Sequence, residues 1–406
     1  MPASTINKSK IFNDPIYGFI SIPYEIIFDL IEHSYFQRLR RISQTGLTQF
    51  VYPGAMHTRF HHALGSMYLM YNALQILKSK NVPISVEEEK AALIAILLHD
   101  IGHGPFSHTL ESAILQDISH EEVSLLLIEK LNEQFDGKLA LAKEMFLGNY
   151  HRKFFKQLIS GQLDMDRLDY LKRDSFFTGV SEGNINSERI LTMLTVKNDE
   201  LMMESKGIYS VEKYLTSRMF MYWQVYYHKT SFAAEMYLME TLRRAKHLSN
   251  NNIEVICNEN LHYFLTRKSS KEISTRDLQH FIQLDDTDVW SALKLWQNHN
   301  DTILALLAQS IVQRKLPRSV IQQKPFSEVE IQSLKNKAED YFGINDGSYF
   351  VHQQKIVVEP YRNNDEPIKL LLKNGTSVSL QNAENQMLTN SLMQKSERYF
   401  ICFPRM

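Results

Sequence analysis

At 406 residues and 47.4 kDa the chain exceeds a single hydrophobic core of ordinary size. Its 44% apolar, 11% aromatic and 22% charged content excludes a disordered, collagen-like or small disulfide-stapled protein. Forty-five basic residues against 46 acidic ones leave a formal charge of −1, so no overall field marks a nucleic-acid or membrane-surface protein. Cys257 and Cys402 lie far apart and outside any CxxC, which speaks against a disulfide framework or thiolate zinc site and suits a reducing compartment. Met1 to Lys10 is polar, and the longest apolar run, Ala91 to Leu98, is too short to span a bilayer, so a cytoplasmic protein with no membrane partner is expected.

In chain order, residues 11–23 (IFNDPIYGFISIP) mix β-branched and aromatic residues with turn formers and predict a short hairpin arm. Apolar residues at helical spacing then predict helices over 25–43 and 62–79. Segment 87–100 opens on Glu87, Glu88 and Glu89, which suit a helix N-terminus, and continues as AALIAILL, apolar on all sides. It predicts a central buried helix stopped by Gly102, Gly104 and Pro105 just beyond His99-Asp100. Ser119 and Glu122 read as a capping box opening a helix to about Leu131. Further helices are predicted over 138–146, 151–175, 208–248, 275–284 and 287–315, with a capped helix from Ser327 to Phe342 stopped by Gly343. Strand-like YFVHQQKIVVEP, IKLLLKNGTSVSL with an Asn374-Gly375 turn, and RYFICF follow. The division expected is a helical domain over 1–319 and a small α+β region over 320–406, a mainly α protein.

Seven of the 15 histidines fall between residues 57 and 120. An ionised aspartate such as Asp100 at the end of a buried helix needs compensation, and a divalent cation shared with His99 supplies it. A lone His-Asp doublet is more often a hydrogen-bonded pair. Two further ligands would make a site: His62, and a carboxylate from LDMDRLDYLKRD, where helical spacing puts Asp166, Tyr170 and Arg173/Asp174 near one face. Such a mixed N/O set suits Mn, Fe, Ni or Zn and leaves positions for water and a substrate oxygen. His57 and His61 read as loop or surface residues, and Asp164 and Asp169 as solvated or structural.

The ordered series NDPIYG (13–18), FQRLRRISQTG (36–46), VYPGAMHTRF (51–60), RFHHALG (59–65), LLHDIGHGPFSH (97–108), SHEE (119–122), LDMDRLDYLKRD (163–174) and YYHK (226–229) closely resembles the HD-domain phosphohydrolases, in the branch of the deoxynucleoside triphosphate triphosphohydrolases. It covers most of residues 10 to 240; the match after about 320 is much looser. The resemblance implies an HD core over about 50–180 and a divalent metal (Mn, Fe, Ni, Zn or Mg) on His62, His99, Asp100 and Asp166. The implied reaction splits a deoxynucleoside triphosphate into a deoxynucleoside and inorganic triphosphate.

Carried over residue by residue, it implies protonation or charge stabilisation by His103, His108 and His120, with Glu111 orienting His108. Arg59 and Arg167 would neutralise the triphosphate, and Gln44, Tyr170, Asp174 and Tyr226 would line the sugar. Lys10, Glu32, Gln37, Arg40, His228 and Lys229 fall near positions where relatives hold an activating guanine nucleotide between subunits, so a homo-oligomer (dimer or tetramer) is implied. Arg38, Arg40 and Arg41 could equally form a solvated face or a subunit contact. The sequence departs from the family at His61, where glutamate is common, and at Glu111, where aspartate is. Nothing upstream of residue 10 is expected to form a sterile-alpha-motif domain. Two readings compete: the same site acting on another phosphoester, an alarmone or nucleoside monophosphate, and a non-catalytic nucleotide sensor or single-stranded nucleic-acid scaffold.

Overall fold

The computed structural model describes residues 10–106, 111, 113, 119–268, 272–361, 366–384, 386–387, 392 and 394–406. Strands β1 (Ile11–Asp14) and β2 (Gly18–Ser21) form the expected hairpin, with Asp14 opposite Gly18. The predicted helix over 25–43 is broken: α1 (Glu25–Glu32) ends where His33 turns extended, α2 (Ser34–Gln37) adds one turn, and Arg38–Arg41 tighten into a 3-10 turn. Helix α3 (Arg59–Ser79) and helix α4 (Val86–Leu98) pack together as the buried centre. Ser85 and Glu88 form a capping box at the start of α4, and every residue from Ala91 to Leu98 is buried.

After α5 (His120–Gln134) and α6 (Ala140–Leu147), the single helix expected over 151–175 is two, α7 (Lys153–Ser160) and α8 (Met165–Thr178). A side chain at Gly161 would strike the Gln157 carbonyl, and Asp164 caps α8 by accepting from the Arg167 N–H at 2.7 Å. Helix α9 (Ser187–Met193) leads into a hairpin that the sequence reading missed, β3 (Leu194–Lys197) and β4 (Glu200–Glu204), turned at Asn198-Asp199 with both residues at positive φ.

The long helix expected over 208–248 is α10 (Ile208–Met221), a π turn over Tyr222–Tyr226, and α11 (Lys229–Asn250) capped by His228. Helix α12 (Glu259–Thr266), also missed, precedes α13 (Thr275–Phe281). The predicted 287–315 helix splits into α14 (Asp286–Trp296) and α15 (Thr302–Val312), because Asp301 caps a fresh start.

Beyond these lie β5 (Arg318–Gln322), the capped helix α16 (Glu328–Phe342), β6 (His352–Val358), the Asn374-Gly375 hairpin of β7 (Lys369–Leu371) and β8 (Ser377–Ser379), and β9 (Ser396–Phe403). Strand β9 lies between β5 and β6, and β7 runs parallel to β4. One apolar cluster runs from Ile20 to Cys402, so this C-terminal chain shares its core with the helices. Mainly helical, with a terminal hairpin and small C-terminal sheets, the architecture matches the expected class. No helix among the described residues is long and apolar enough to cross a membrane.

Candidate active site

Three elements bring four side chains together. Helix α3 supplies His62, the end of α4 supplies His99 and Asp100, and the first turn of α8 supplies Asp166. The His62 Nε2 stands 3.1 Å from Asp166 Oδ1 and 3.7 Å from Asp100 Oδ2. The His99 Nε2 stands 3.3 Å from Asp100 Oδ1 and 3.6 Å from Asp166 Oδ1. Ligands bonded at about 2.1 Å around one octahedral ion are separated by about 3 Å along each edge, which suits this quartet once a cation draws it in.

The tautomers fit as well. His62 Nδ1 donates to Asp169 Oδ2 at 2.8 Å and His99 Nδ1 to the Ile96 carbonyl at 2.6 Å, leaving both Nε2 lone pairs directed at the cluster. Neither buried Nε2 has a hydrogen-bond partner. Without a cation a proton stands in: burial disfavours the His62 imidazolium, yet the Asp166 and Asp169 carboxylates push it up to about 10. Burial opposes the Asp166 charge, and the two histidines outweigh it to hold that carboxyl far below its usual range.

Asp169 is a positioning group and fully buried, not solvated. Arg173 clamps it with Nε at 2.9 Å and Nη2 at 3.0 Å while Nη1 reaches Asp14 Oδ2 in β1 at 2.7 Å. Arg173 therefore braces Asp169 and ties the β1–β2 hairpin to α8. Helix α3 can approach this pair only because residue 65 is glycine; a methyl there would run into Asp169 Oδ1 and Arg173 Nη2.

A second cluster abuts the first through Asp100. His103 Nε2 lies 3.3 Å from Asp100 Oδ1, and Arg59 donates to Asp100 Oδ2. Glu111 Oε1 lies 2.8 Å from His120 Nδ1 and 3.4 Å from His103 Nδ1. Glu111 thus joins His103 to His120; His108, which it was expected to orient, lies outside the described residues. Both clusters could in principle hold a cation, but ring geometry separates them. His62 and His99 are inclined by 71°, so their lone pairs converge, whereas His103 and His120 stack 3.9 Å apart at 17° and their in-plane lone pairs run side by side. The second cluster instead joins its two rings through the Glu111 carboxylate. Burial and Arg59 push His103 down to about 4, while His120, despite burial, is raised by Glu111, so the pair holds one neutral and one readily protonated ring.

The loop carrying His103 is fixed by Arg38. This buried guanidinium donates to the carbonyls of Ile101 at 2.8 Å, His103 at 2.9 Å and Leu284 at 3.3 Å, so it belongs to no solvated face. Gly102 lets α5 approach closely, since a side chain there would strike the His120 carbonyl and the Ser124 N–H. Asp286 ties Phe106 N–H at 2.9 Å to Ser43 Oγ at 2.6 Å, next to Gln44.

On the flank beyond Tyr170, whose ring lies 6.4 Å from His62 and 6.1 Å from Tyr226, the Tyr226 hydroxyl donates to Asp174 Oδ2 at 2.7 Å. His57, read as a loop or surface residue, does lie on the loop before α3 but is only 1% exposed, and it reaches the other Asp174 oxygen. Arg167 donates to Gly161 O and Asp164 Oδ2 at the α8 cap. Arg218 went unnoticed in the sequence. It is buried, its Nη1 donates to the Pro360 carbonyl at 2.9 Å while its Nε has no hydrogen-bond partner, and it lies near Arg167 and the carboxyl of Asp164, which burial pushes up to about 7. Two neighbouring guanidiniums give this flank positive charge that suits an anion. A buried arginine has no periodic signature in sequence.

The activator positions lie elsewhere. Lys10 covers the Phe28 ring at 3.6 Å, Gln37 bonds the Ile31 carbonyl and Arg40, Glu32 is exposed, and His228 caps α11 beside exposed Lys229.

A helical scaffold presenting two histidines and two carboxylates to one point, with basic side chains around them, defines a metal-binding phosphohydrolase class. An HD domain model matches residues 59–174 and an HD associated region matches residues 185–276. An uncharacterized protein of Bacillus subtilis is 32% identical over 92% of this chain and 87% of its own length. The deoxynucleoside triphosphate triphosphohydrolase SAMHD1 homolog of Dictyostelium discoideum is 31% identical over 60% of this chain and half of its own length. A phosphohydrolase from Bacteroides thetaiotaomicron has a crystal structure that superposes with a TM-score of 0.94 at 46% identity, over 98% of this chain and all of that one. The chain belongs to the HD-domain phosphohydrolase family.

Proposed function

We propose that the chain hydrolyses deoxynucleoside triphosphates to deoxynucleoside and inorganic triphosphate. The observation that carries this reading is Asp100, which shares one carboxylate between the converging His62-His99-Asp166 cluster and the His103-Glu111-His120 cluster. A divalent ion held by His62, His99, Asp100 and Asp166 would supply Lewis-acid polarisation and activate water. The chain's own residues do the rest. Arg59, Arg167 and Arg218 offset the triphosphate charge, with planar forks suited to phosphate oxygens. His120, charged by Glu111 and stacked on neutral His103, gives a proton to the departing 5′-oxygen as the water oxygen bonds to the α-phosphorus and the phosphorus–oxygen bond to the sugar breaks; the proton that the water loses restores the His120-Glu111 pair. Tyr170 and Tyr226 wall the sugar, leaving little room for a 2′-hydroxyl, and Asp174 and Gln44 accept from the 3′-hydroxyl.

Metal-loaded protein incubated with each deoxynucleotide, with and without GTP, tests the reading. Equimolar deoxynucleoside and triphosphate is the expected outcome, with ribonucleotides poor substrates. Orthophosphate or pyrophosphate without triphosphate would move the same site to another phosphoester.

A further inference from the structure

We propose that His57 is a positioning residue for sugar recognition, holding Asp174 as a fixed acceptor for a substrate hydroxyl; this rests on a nucleotide occupying the cleft as read above. His57 Nε2 lies 2.6 Å from Asp174 Oδ1, and the Tyr226 hydroxyl donates to Asp174 Oδ2 at 2.7 Å. A carboxylate flanked in this way accepts at both oxygens, so the hydrogen sits on His57 Nε2. His57 Nδ1 is buried with no hydrogen-bond partner, so a hydrogen there would be left unsatisfied and Nε2 is the nitrogen that this pocket pairs.

The ring cannot swing away. Phe177 stacks on it at 4.5 Å and 15°, the chain at Gly54 approaches the Phe177 carbonyl so closely that a side chain there would strike it, and the Gln44 N–H holds the His57 carbonyl at 3.0 Å. With one donor already on each Asp174 oxygen, the remaining lone pairs can only accept, which selects a donor such as a hydroxyl and rejects a bare carbon at that position. The Gln44 side-chain carbonyl, buried without a hydrogen-bond partner, stands beside the same loop. The Tyr170 ring stands 6.1 Å from Tyr226 and 6.4 Å from His62, so one tyrosine borders both the acceptor and the cation cluster.

The test compares a 2′-deoxynucleoside triphosphate with its 2′,3′-dideoxy analogue on full-length, metal-loaded wild type, His57→Ala and His57→Gln. Wild type is expected to prefer the hydroxyl-bearing nucleotide. In His57→Ala that preference should fall about tenfold, mostly through KM, with kcat/KM for the dideoxy compound little changed, and His57→Gln, which still offers a donor, should recover part of it. A histidine ¹H–¹⁵N spectrum of the free protein should show the His57 proton on Nε2, displaced by Asp174→Asn. Equal losses for both nucleotides in His57→Ala, a wild type indifferent to the hydroxyl, or a proton on Nδ1 would overturn the proposal. Should wild type release triphosphate from neither nucleotide, the hydrolase reading fails, and the tautomer alone decides the role of His57.

Discussion

Asp169 is not one of the four converging side chains, yet its hydrogen bond to His62 Nδ1 fixes the tautomer of that ring, and it is itself held by Arg173. Asp169→Asn should therefore keep the fold and weaken metal affinity by about 10- to 100-fold, measured by competition with a chelator. Because the carboxylates keep a proton on metal-free His62 up to about pH 10, cation binding near pH 7.5 should release protons. Calorimetry in buffers of different ionisation enthalpy reads that number; none released would contradict the ligand assignment. Arg218→Gln should raise KM for the triphosphate substrate by roughly tenfold or more, since a charge-assisted contact is worth about 1.5–3 kcal/mol. Of these groups, the motif spacing in sequence exposed His62, His99, Asp100 and Asp166. It could not separate Asp169 from a solvated acid, because helical period gives a face but not what packs against it.

At the scale of elements, the hairpin β1–β2 is anchored to the site by one ion pair, Asp14 with Arg173. Asp14→Ala leaves a buried guanidinium short of a partner and should cost on the order of 3 kcal/mol, seen as a lower denaturant midpoint, together with weaker metal retention. The hairpin itself was legible from its turn residues and β-branched run, but the anchor was not. Helix breaks at Gly161, His228 and Asp301 escaped the periodicity because apolar spacing continues across them, while the caps that restart each helix act through backbone geometry. The β3–β4 hairpin was missed for a related reason: its Asn-Asp turn lies between short, methionine-rich strands whose burial depends on the later strand β7.

For the molecule as a whole, buried titratable groups set opposing limits on stability. Burial pushes Glu235 up to about 8, so the folded state binds a proton that the unfolded chain gives up above about pH 4.5, and stability is lost as pH rises toward 8. Burial pushes His352 down to about 4, so the unfolded chain takes up its proton first, and stability is lost as pH falls from about 6.5 toward 4. Glu235→Gln should remove the alkaline loss, narrowing the fall in Tm between pH 6 and pH 9 by roughly 5 °C in a thermal scan. A scan with unchanged slope would show that Glu235 ionises freely in the folded protein.

Sequence by itself determined the helical class, the buried helix that ends at His99-Asp100 and the family, because apolar period and motif order are local properties that survive without coordinates. Only the tertiary structure decided which histidines converge and which stack, that Glu111 serves His103 and His120, and that Arg38, His57, Asp169 and Arg218 belong to the site. Those roles arise from contacts between segments as many as 246 residues apart, such as Arg38 with Leu284, and no local pattern encodes the direction in which a buried charge points.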